Sequence, residues 1–140
     1  MADMKPAPRV SVIIIFLNEA RFLGEAIESV RAQSFTDWEL ILVDDGSTDG
    51  SSDIARAASD SERIRIIDHP GHSNRGMSAS RNAGIAVSRG EFIAFLDADD
   101  VWSPDKLAEQ LAIFDADPAI DMVYGRALIW HEWEDGATTR

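Results

Sequence analysis

The sequence contains no cysteine, so neither a disulfide framework nor a thiolate metal site can be part of this protein. No apolar run approaches the roughly 18 residues that a membrane-spanning helix needs. Basic residues are scarce: 13 lysines and arginines stand against 25 aspartates and glutamates, which gives a formal net charge of -12. This balance argues against a nucleic-acid surface, which requires a basic patch. It also means that a phosphate-bearing ligand needs a bridging cation or a local cluster of donors.

The composition fits one domain of ordinary size. Apolar residues make up 45% of the 140 positions, which is enough for a hydrophobic core. Residues 1–9 are short, polar and proline-containing, unlike a signal peptide. We therefore expect an N-terminal tail over residues 1–9, one domain over 10–130 and a C-terminal tail over 131–140. The expected location is the cytoplasm, with the inner face of the membrane as the alternative.

Apolar segments of two periodicities alternate along the chain, and they predict an α/β protein. The predicted strands are Val10–Phe16, Glu39–Val43, Ile64–Ile67, Phe92–Leu96 and Met122–Ala127, the last with Trp130 as its outer limit. The predicted helices are Glu19–Gln33 with Asn18 as its cap, a short helix from Asp49 or Ser51 to Ala58, Met77–Ser88, and Ser103–Asp115. Charges around the third strand indicate a sheet edge. Five strands alternating with four helices predict a three-layer α/β/α fold with a mostly parallel sheet.

Two groups of carboxylates follow predicted strands at their carboxyl ends. Asp44 and Asp45 follow the second strand, and Asp97, Asp99 and Asp100 follow the fourth. In parallel sheets ligands bind outside the carboxyl ends of the strands, so both groups are expected on one rim. Clustered carboxylates repel one another unless a cation lies among them, and magnesium is typically held by one or two carboxylates plus substrate phosphates. The alternative is a solvated acidic turn before the next helix, and the coincidence of two groups on one rim counts against it.

Other motifs carry weaker signals. Gly71–Ser78 resembles a phosphate-binding loop, but Met77 stands where that loop requires lysine, so a nucleoside-triphosphatase loop is rejected. The first strand runs into Asn18 without a glycine-rich dinucleotide fingerprint. His69 and His72 lie three positions apart in a loop and are weak evidence for a metal site, and spacing supports no Ser-His-Asp arrangement.

Arg81, near the start of the third helix, admits two interpretations. It either belongs to a solvated helical face or supplies positive charge to a ligand phosphate in an otherwise acidic protein. Trp38 and Trp102 lie beside the two acidic loops, and packing is the expected role of both.

Five motifs, in order and at suitable separations, resemble the nucleotide-binding half of family 2 glycosyltransferases, which have the GT-A fold. The resemblance extends from Val10 to Trp130, nearly the whole chain. The segments that carry it are Val10–Ile14, Ala26–Phe35, Leu42–Asp49, Ser80–Ile85 and Arg89–Asp100.

The resemblance implies the donor-binding part of an inverting, metal-dependent enzyme of cell-envelope polysaccharide biosynthesis. Such an enzyme transfers a sugar from a nucleotide-diphosphate sugar to a hydroxyl of a saccharide, lipid or protein. By resemblance, Asp45 accepts a hydrogen bond from the base, Asp44 shapes that pocket and Glu19 borders the nucleoside. Asp99 is implied as the main ligand of Mg²⁺ or Mn²⁺, with Asp97 near the ribose or the metal.

The chain departs from the family pattern in two places. After the first strand, Ile15–Asn18 replaces the frequent Pro-Thr-Tyr-Asn, which removes a small polar contact. Family members also carry a carboxylate base and an acceptor site on later elements. Glu132, Glu134 and Asp135 follow the fifth predicted strand too closely for that role, so the base is expected beyond residue 140, with 131–140 leading to a missing acceptor-binding half.

Two alternatives remain at this stage. One is a receiver-like, magnesium-binding signalling domain, which requires an acidic pair after the first strand and a lysine after the fifth. The only lysines are Lys5 and Lys106, in the N-terminal tail and a predicted helix. The other is an inert fragment that binds nucleotide.

Overall fold

The computed structural model describes residues 6–60, 62–125, 128–130 and 137–139. A parallel sheet of four strands lies at its centre, in the order β3-β2-β1-β4. The strands are β1 (Val10–Phe16), β2 (Trp38–Asp44), β3 (Ile64–Asp68) and β4 (Phe92–Phe95). The helices are α1 (Leu23–Arg31), α2 (Ser51–Ala58), α3 (Met77–Val87) and α4 (Lys106–Ala116), with a 3₁₀ turn at Pro70–His72.

Helices cover both faces of the sheet, which gives the expected three-layer α/β/α arrangement. On one face, alternate residues of β1 and β2 pack with Leu23 of α1, Ala55 of α2 and Leu107 of α4. On the other face, Ile13, Ile41 and Val43 pack beneath α3. Burial on both faces explains why β1 and β2 read as continuous apolar runs rather than as alternating patterns.

The four strands of the sheet form where the sequence predicts them, and β3 lies at an edge as expected. The first helix is shorter than predicted and begins at Leu23 rather than Glu19. Asn18 does not cap it, because its backbone is left-handed with φ 54° and its carboxamide oxygen accepts a hydrogen bond from the Thr48 N–H at 2.7 Å. The last helix begins at Lys106, since residues 103–106 form a separate turn closed by Lys106 N–H and the Ser103 carbonyl.

The predicted fifth strand is wrong as a member of the parallel sheet. Residues 122–125 are not in a strand, and Met122 and Tyr124 are exposed. Residues Leu128–Trp130 form β5, which pairs with β6 (Ala137–Thr139) in a separate antiparallel ribbon. Apolar residues can predict a strand but not the backbone partner that it needs. Residues 126–127 lie outside the described part of the chain.

No helix of the described residues has the length and apolarity that a bilayer span requires.

Candidate functional site

The carboxyl ends of the sheet strands form one rim that carries the predicted site residues. Asp44 ends β2, with Asp45 directly after it, and Asp97 to Asp100 follow β4. Glu19 lies in the loop after β1, which is the strand between β2 and β4. Because all pairings in this sheet are parallel, these loops necessarily emerge at the same edge. The rim is made of three loops, β1–α1 (17–22), β2–α2 (45–50) and β3–α3 (69–76), together with the acidic loop 97–100.

Three carboxylates gather in the acidic loop. Asp97, Asp99 and Asp100 each place an oxygen within 4.8 Å of the others, and all three side chains are exposed. Partial desolvation by the surrounding loop atoms raises the pKa of Asp100, although its side chain reaches solvent, and the negative charges of Asp99 and Asp97 raise it further. A hard divalent cation takes oxygen ligands of this kind. The residues present therefore fit Mg²⁺ or Mn²⁺.

Glu19 faces this acidic loop from the neighbouring strand end. Burial raises the pKa of Glu19, and the charges of Asp99 and Asp49 add to the effect. Its backbone N–H donates to Ser51 Oγ at 2.8 Å, which fixes the loop at the start of α2. The loops after β1 and β4 thus bring carboxylates together from opposite parts of the sequence.

The β2–α2 loop holds the β1–α1 loop in place. Ser47 Oγ accepts a hydrogen bond from Asn18 N–H at 3.0 Å, and Asp49 Oδ2 accepts one from Ala20 N–H at 3.0 Å. Thr48 N–H donates to Asn18, as described above. The Ser-Thr-Asp part of the motif therefore anchors a neighbouring loop. Sequence reasoning missed this role, although short polar side chains after a strand are typical of such side chain–backbone bonds.

Asp44 and Asp45 are buried, with exposures of 1% and 3%. Asp45 Oδ1 accepts hydrogen bonds from the backbone N–H groups of Arg75 at 2.8 Å and Gly76 at 3.2 Å, so it anchors the loop before α3. Asp44 accepts from Ser47 N–H at 2.9 Å and from the hydroxyl of Ser52. A carboxylate offers about four lone-pair sites, so these bonds leave acceptor capacity for a ligand.

The β2–α2 and β3–α3 loops touch at a glycine. Gly46 has φ 89°, and a Cβ at this position would lie 2.9 Å from the backbone nitrogen of Asn74. A larger residue would therefore push the two loops apart.

His69 lies among buried polar groups, a placement that spacing did not predict. Its Nε2 is 2.8 Å from Ser80 Oγ and 3.5 Å from Asp45 Oδ1. A nucleophilic triad requires the two ring nitrogens to face serine and carboxylate separately, whereas here one nitrogen meets both. Ser80 is also fully buried, so this group has a structural role.

A second group of potential cation donors consists of Asp44, Asp68 and His72. His72 Nδ1 lies 2.6 Å from Asp68 Oδ2, and Nε2 lies 2.7 Å from the Ser47 carbonyl oxygen. Both ring nitrogens are therefore engaged in hydrogen bonds, which leaves neither as a donor to a cation.

Arg81 projects from α3 over the end of β4. Its guanidinium carbon lies 5.5 Å from the ring centroid of Phe95, two residues before Asp97, and its side chain is exposed. Trp38 is buried in the hydrophobic core, and Trp102 is partly buried and packs against the same core. Both tryptophans therefore have the expected packing roles. Glu132, Glu134 and Asp135 lie outside the described residues.

Comparison with known proteins gives a consistent result. A family model described as Glycosyl transferase family 2 matches residues 11–136. Two curated relatives are an uncharacterized glycosyltransferase of Nostoc sp., with 41% identity, and the putative glycosyltransferase EpsE of Bacillus subtilis, with 39% identity. One relative is the putative teichuronic acid biosynthesis glycosyltransferase TuaG of Bacillus subtilis, with 40% identity over 105 residues, covering 74% of this chain and 41% of TuaG. The chain spans 36% and 47% of the lengths of two curated relatives that it matches.

Solved structures with the same fold include two that contain nucleotides. TarS 1–349 of S. aureus in complex with UDP-GlcNAc matches with a TM-score of 0.71 and 27% identity, covering 77% of this chain and 31% of that one. The mannosyltransferase PcManGT of Pyrobaculum calidifontis, in complex with GDP-Man and Mn²⁺, matches with a TM-score of 0.72 and 27% identity, covering 82% and 34%. The expected GT-A architecture is thereby confirmed.

Proposed function

The chain belongs to glycosyltransferase family 2, and we propose that it forms the donor-binding part of a metal-dependent, inverting glycosyltransferase. The donor is a nucleotide-diphosphate sugar, and the acceptor is a hydroxyl group of a saccharide, lipid or protein. The relationship to TuaG supports a role in cell-envelope polysaccharide synthesis. Action in the cytoplasm, or at the inner face of the membrane, remains a prediction.

The observation that carries the proposal is the gathering of Asp97, Asp99 and Asp100 within 4.8 Å on the rim that also holds Asp44 and Asp45. A protein with a net charge of -12 repels a diphosphate unless a cation neutralises the contact. Three exposed carboxylates supply the ligands for such a cation. Asp44 and Asp45, which are buried at the end of β2 on the same rim, supply hydrogen-bond acceptors for the nucleotide base.

Each site residue has a proposed role in this arrangement. Asp99 is the main metal ligand, with Asp97 as a second ligand or a contact to the ribose. These carboxylates would hold Mg²⁺ or Mn²⁺, and such a cation would supply Lewis-acid stabilisation of the negative charge on a leaving diphosphate. Asp45 accepts a hydrogen bond from the base, while Asp44 holds the pocket through Ser47.

Glu19 and Arg81 complete the proposed donor site. Glu19 borders the nucleoside, consistent with its position facing Asp99. The Arg81 guanidinium contacts the face of Phe95, which leaves its N–H groups available to a phosphate oxygen. The base that deprotonates the acceptor is proposed to lie beyond residue 140.

The signalling alternative is disfavoured by the match to the glycosyltransferase family over residues 11–136. The other alternative is a chain that binds nucleotide without transferring sugar. The transfer assay described in the Discussion distinguishes it from an active enzyme.

The proposed donor site is tested by binding measurements on two variants. We expect Asp99→Asn to weaken nucleoside diphosphate binding mainly when Mg²⁺ or Mn²⁺ is present, because the side chain acts through the cation. Asp45→Asn should weaken binding with or without metal, because its carboxylate acts on the base and on the β3–α3 loop. A loss of one charge-assisted bond corresponds to roughly tenfold in affinity. Calorimetric titration of UDP and GDP, with and without metal, measures both effects.

Asp53→Asn is the matched control, since Asp53 is exposed on α2 and pairs with Arg56 of the same helix. It should bind as the unaltered protein does. The same metal dependence in the Asp99 and Asp45 variants would contradict the division of roles. Full metal-dependent binding by the Asp99 variant would remove Asp99 from the metal site.

A further inference from the structure

The loop between β3 and α3 carries His72 in a backbone conformation that few side chains adopt. Its φ is 54°, and the preceding Gly71 is also left-handed, with φ 70°. A residue with a Cβ has a steric cost in this region, so other contacts must keep it there. The role of His72 therefore depends on what its imidazole touches.

Both ring nitrogens of His72 face oxygen acceptors. Nδ1 lies 2.6 Å from the Asp68 carboxylate, and Nε2 lies 2.7 Å from the Ser47 carbonyl oxygen. A neutral imidazole has one N–H and one lone pair, so it would direct a lone pair at one of these oxygens. Only the imidazolium donates to both. The geometry is that of a charged histidine.

The surroundings of the ring favour this charge. Asp68 on β3 and Asp44 on β2, the latter 4.0 Å from Nδ1, face the ring from the strands beside it. The Ser47 carbonyl raises the pKa of His72 above its usual value, the Asp68 carboxylate raises it further, and Asp44 adds a smaller contribution. Burial opposes these contributions without cancelling them.

Ser47, the partner of His72, is a junction between loops. Its backbone N–H donates to Asp44, its hydroxyl oxygen accepts from Asn18 N–H, and its carbonyl oxygen accepts from His72. His72 consequently connects the β3–α3 loop to the β2–α2 loop and, through Ser47, to the β1–α1 loop. These three loops surround the proposed nucleoside contacts.

We propose that protonated His72 is a positioning residue that holds these three loops in the arrangement that binds the nucleoside, so that donor binding requires His72 to be charged. This inference rests on the proposed donor-binding function of the rim. Loss of the proton breaks the hydrogen bond from His72 to either the Ser47 carbonyl or Asp68. Only one imidazole hydrogen bond then holds the left-handed turn. By linkage, donor affinity then falls with rising pH, at most about tenfold per pH unit above the pKa of His72.

The charge on His72 can be tested without any ligand. Nitrogen-15 NMR of the imidazole ring, in the full 140-residue chain, reports its protonation directly. We expect both ring nitrogens to carry protons at pH 6 and the pKa to lie above the ordinary histidine value of about 6.5. Asp68→Asn should lower that pKa. A neutral ring at pH 6 would overturn the proposal whatever the protein binds.

The coupling to donor binding is tested by calorimetric titration with UDP-GlcNAc and GDP-mannose plus Mg²⁺, from pH 6 to 8.5. The informative variant is His72→Asn, because asparagine tolerates left-handed backbone and keeps an amide donor but cannot carry the charge. We expect the affinity of the unaltered protein to fall as the pH rises. The variant should bind about tenfold more weakly at pH 6, with an affinity independent of pH. Asp53→Asn, an exposed position on α2, is the control and should follow the unaltered protein.

Each outcome of the titration either supports or contradicts the positioning role of His72. Equal affinity of the unaltered protein at pH 6 and 8.5 would overturn the positioning role while leaving the donor site intact. A His72→Asn variant with the same pH profile as the unaltered protein would do the same. Absence of binding to both donors at every pH would contradict the proposed function and the positioning role together, and the two kinds of failure are therefore distinguishable.

Discussion

Glu39 is a buried charge near the start of β2, at the end of the sheet opposite the acidic rim. Its side chain is 2% exposed and its carboxylate lies 3.0 Å from Arg65 Nη2 and 3.0 Å from Arg89 Nη2. The Ser11 hydroxyl and the Arg89 backbone N–H donate to the same carboxylate, at 2.7 Å and 2.8 Å. The carboxylate thus ties β2, β3 and the loop before β4 together.

We expect Glu39→Ala to lower the free energy of unfolding by about 3 kcal/mol, because breaking a buried ion pair leaves its partner charges uncompensated. Urea denaturation at pH 7 measures this change. Glu28→Ala is the matched control, since Glu28 pairs with Arg31 on the exposed side of α1 and surface pairs contribute little. Equal losses in the two variants would show that the buried network does not stabilise the fold.

The same residue predicts a pH dependence. Burial opposes ionisation of Glu39, but hydrogen bonds from Arg89 and Ser11 and the charge of Arg65 outweigh it, so its pKa is lowered. A lowered pKa contributes stability that is complete above the unfolded value of about 4.3 and is lost as pH falls through the folded value. Unfolding free energies between pH 7 and 3 should therefore fall less steeply in Glu39→Ala. Parallel curves would contradict the contribution of Glu39.

At the scale of elements, the contact between α3 and the sheet depends on a small residue. A Cβ at Gly84 would lie 2.8 Å from Ile13 Cγ2 and 3.3 Å from Val43 Cγ2. Those side chains form the core beneath α3. The close approach also places Arg81, one turn earlier on α3, over Phe95.

We expect Gly84→Ala to destabilise the protein by about 1–3 kcal/mol, because the added methyl group overpacks the contact. Gly24→Ala is the control on another helix, where a Cβ meets no atom within 4 Å. That variant should be neutral or stabilising by up to about 1 kcal/mol, since alanine favours helix more than glycine does. Thermal or urea unfolding of both variants measures the contrast. A Gly84 variant as stable as the Gly24 variant would show that α3 can shift without cost.

The helices and strands also show which features local sequence patterns predict and which they do not. Strands β1 and β2 follow from apolar runs, and α2 follows from a capping residue before it, and both signals are local properties of the sequence. The start of α1 does not, because residues 18–20 bond to the β2–α2 loop instead of continuing the helix. A partner about thirty positions away in sequence competes with the local helix, and only the tertiary fold brings it close.

At the scale of the whole molecule, the functional groups on the described rim predict donor binding without sugar transfer. The described rim carries three clustered carboxylates and two buried aspartates, which we propose as the groups that bind a cation and a nucleoside. Sugar transfer also needs an acceptor hydroxyl in line with the donor carbon and a base within hydrogen-bond reach. The chain spans 36% and 47% of the lengths of two relatives, and we propose no such base among its described residues.

We therefore expect residues 1–140 to bind a nucleotide sugar with Mg²⁺ or Mn²⁺ but to show transfer near background. Slow hydrolysis of the donor by water is compatible with this expectation, because a cation held by the acidic loop would still stabilise the leaving diphosphate. Release of nucleoside diphosphate, measured with and without a panel of saccharide, lipid and peptide acceptors, tests it. Acceptor-dependent turnover would place the base within this chain, with Glu132, Glu134 and Asp135 as the first residues to substitute.

The sequence by itself indicated the α/β class, located the four strands of the parallel sheet among the five that it predicted, and placed the acidic residues at strand ends. These features depend on apolar periodicity and on the residue that follows each strand, both of which are local. The tertiary structure decided which groups meet: Asp45 with the β3–α3 loop, His69 with Ser80, and His72 with Ser47. It also placed residues 128–130 in a separate ribbon instead of the sheet. Hydrogen-bond partners far apart in sequence are set by the path of the backbone, and no local pattern of residues encodes that path.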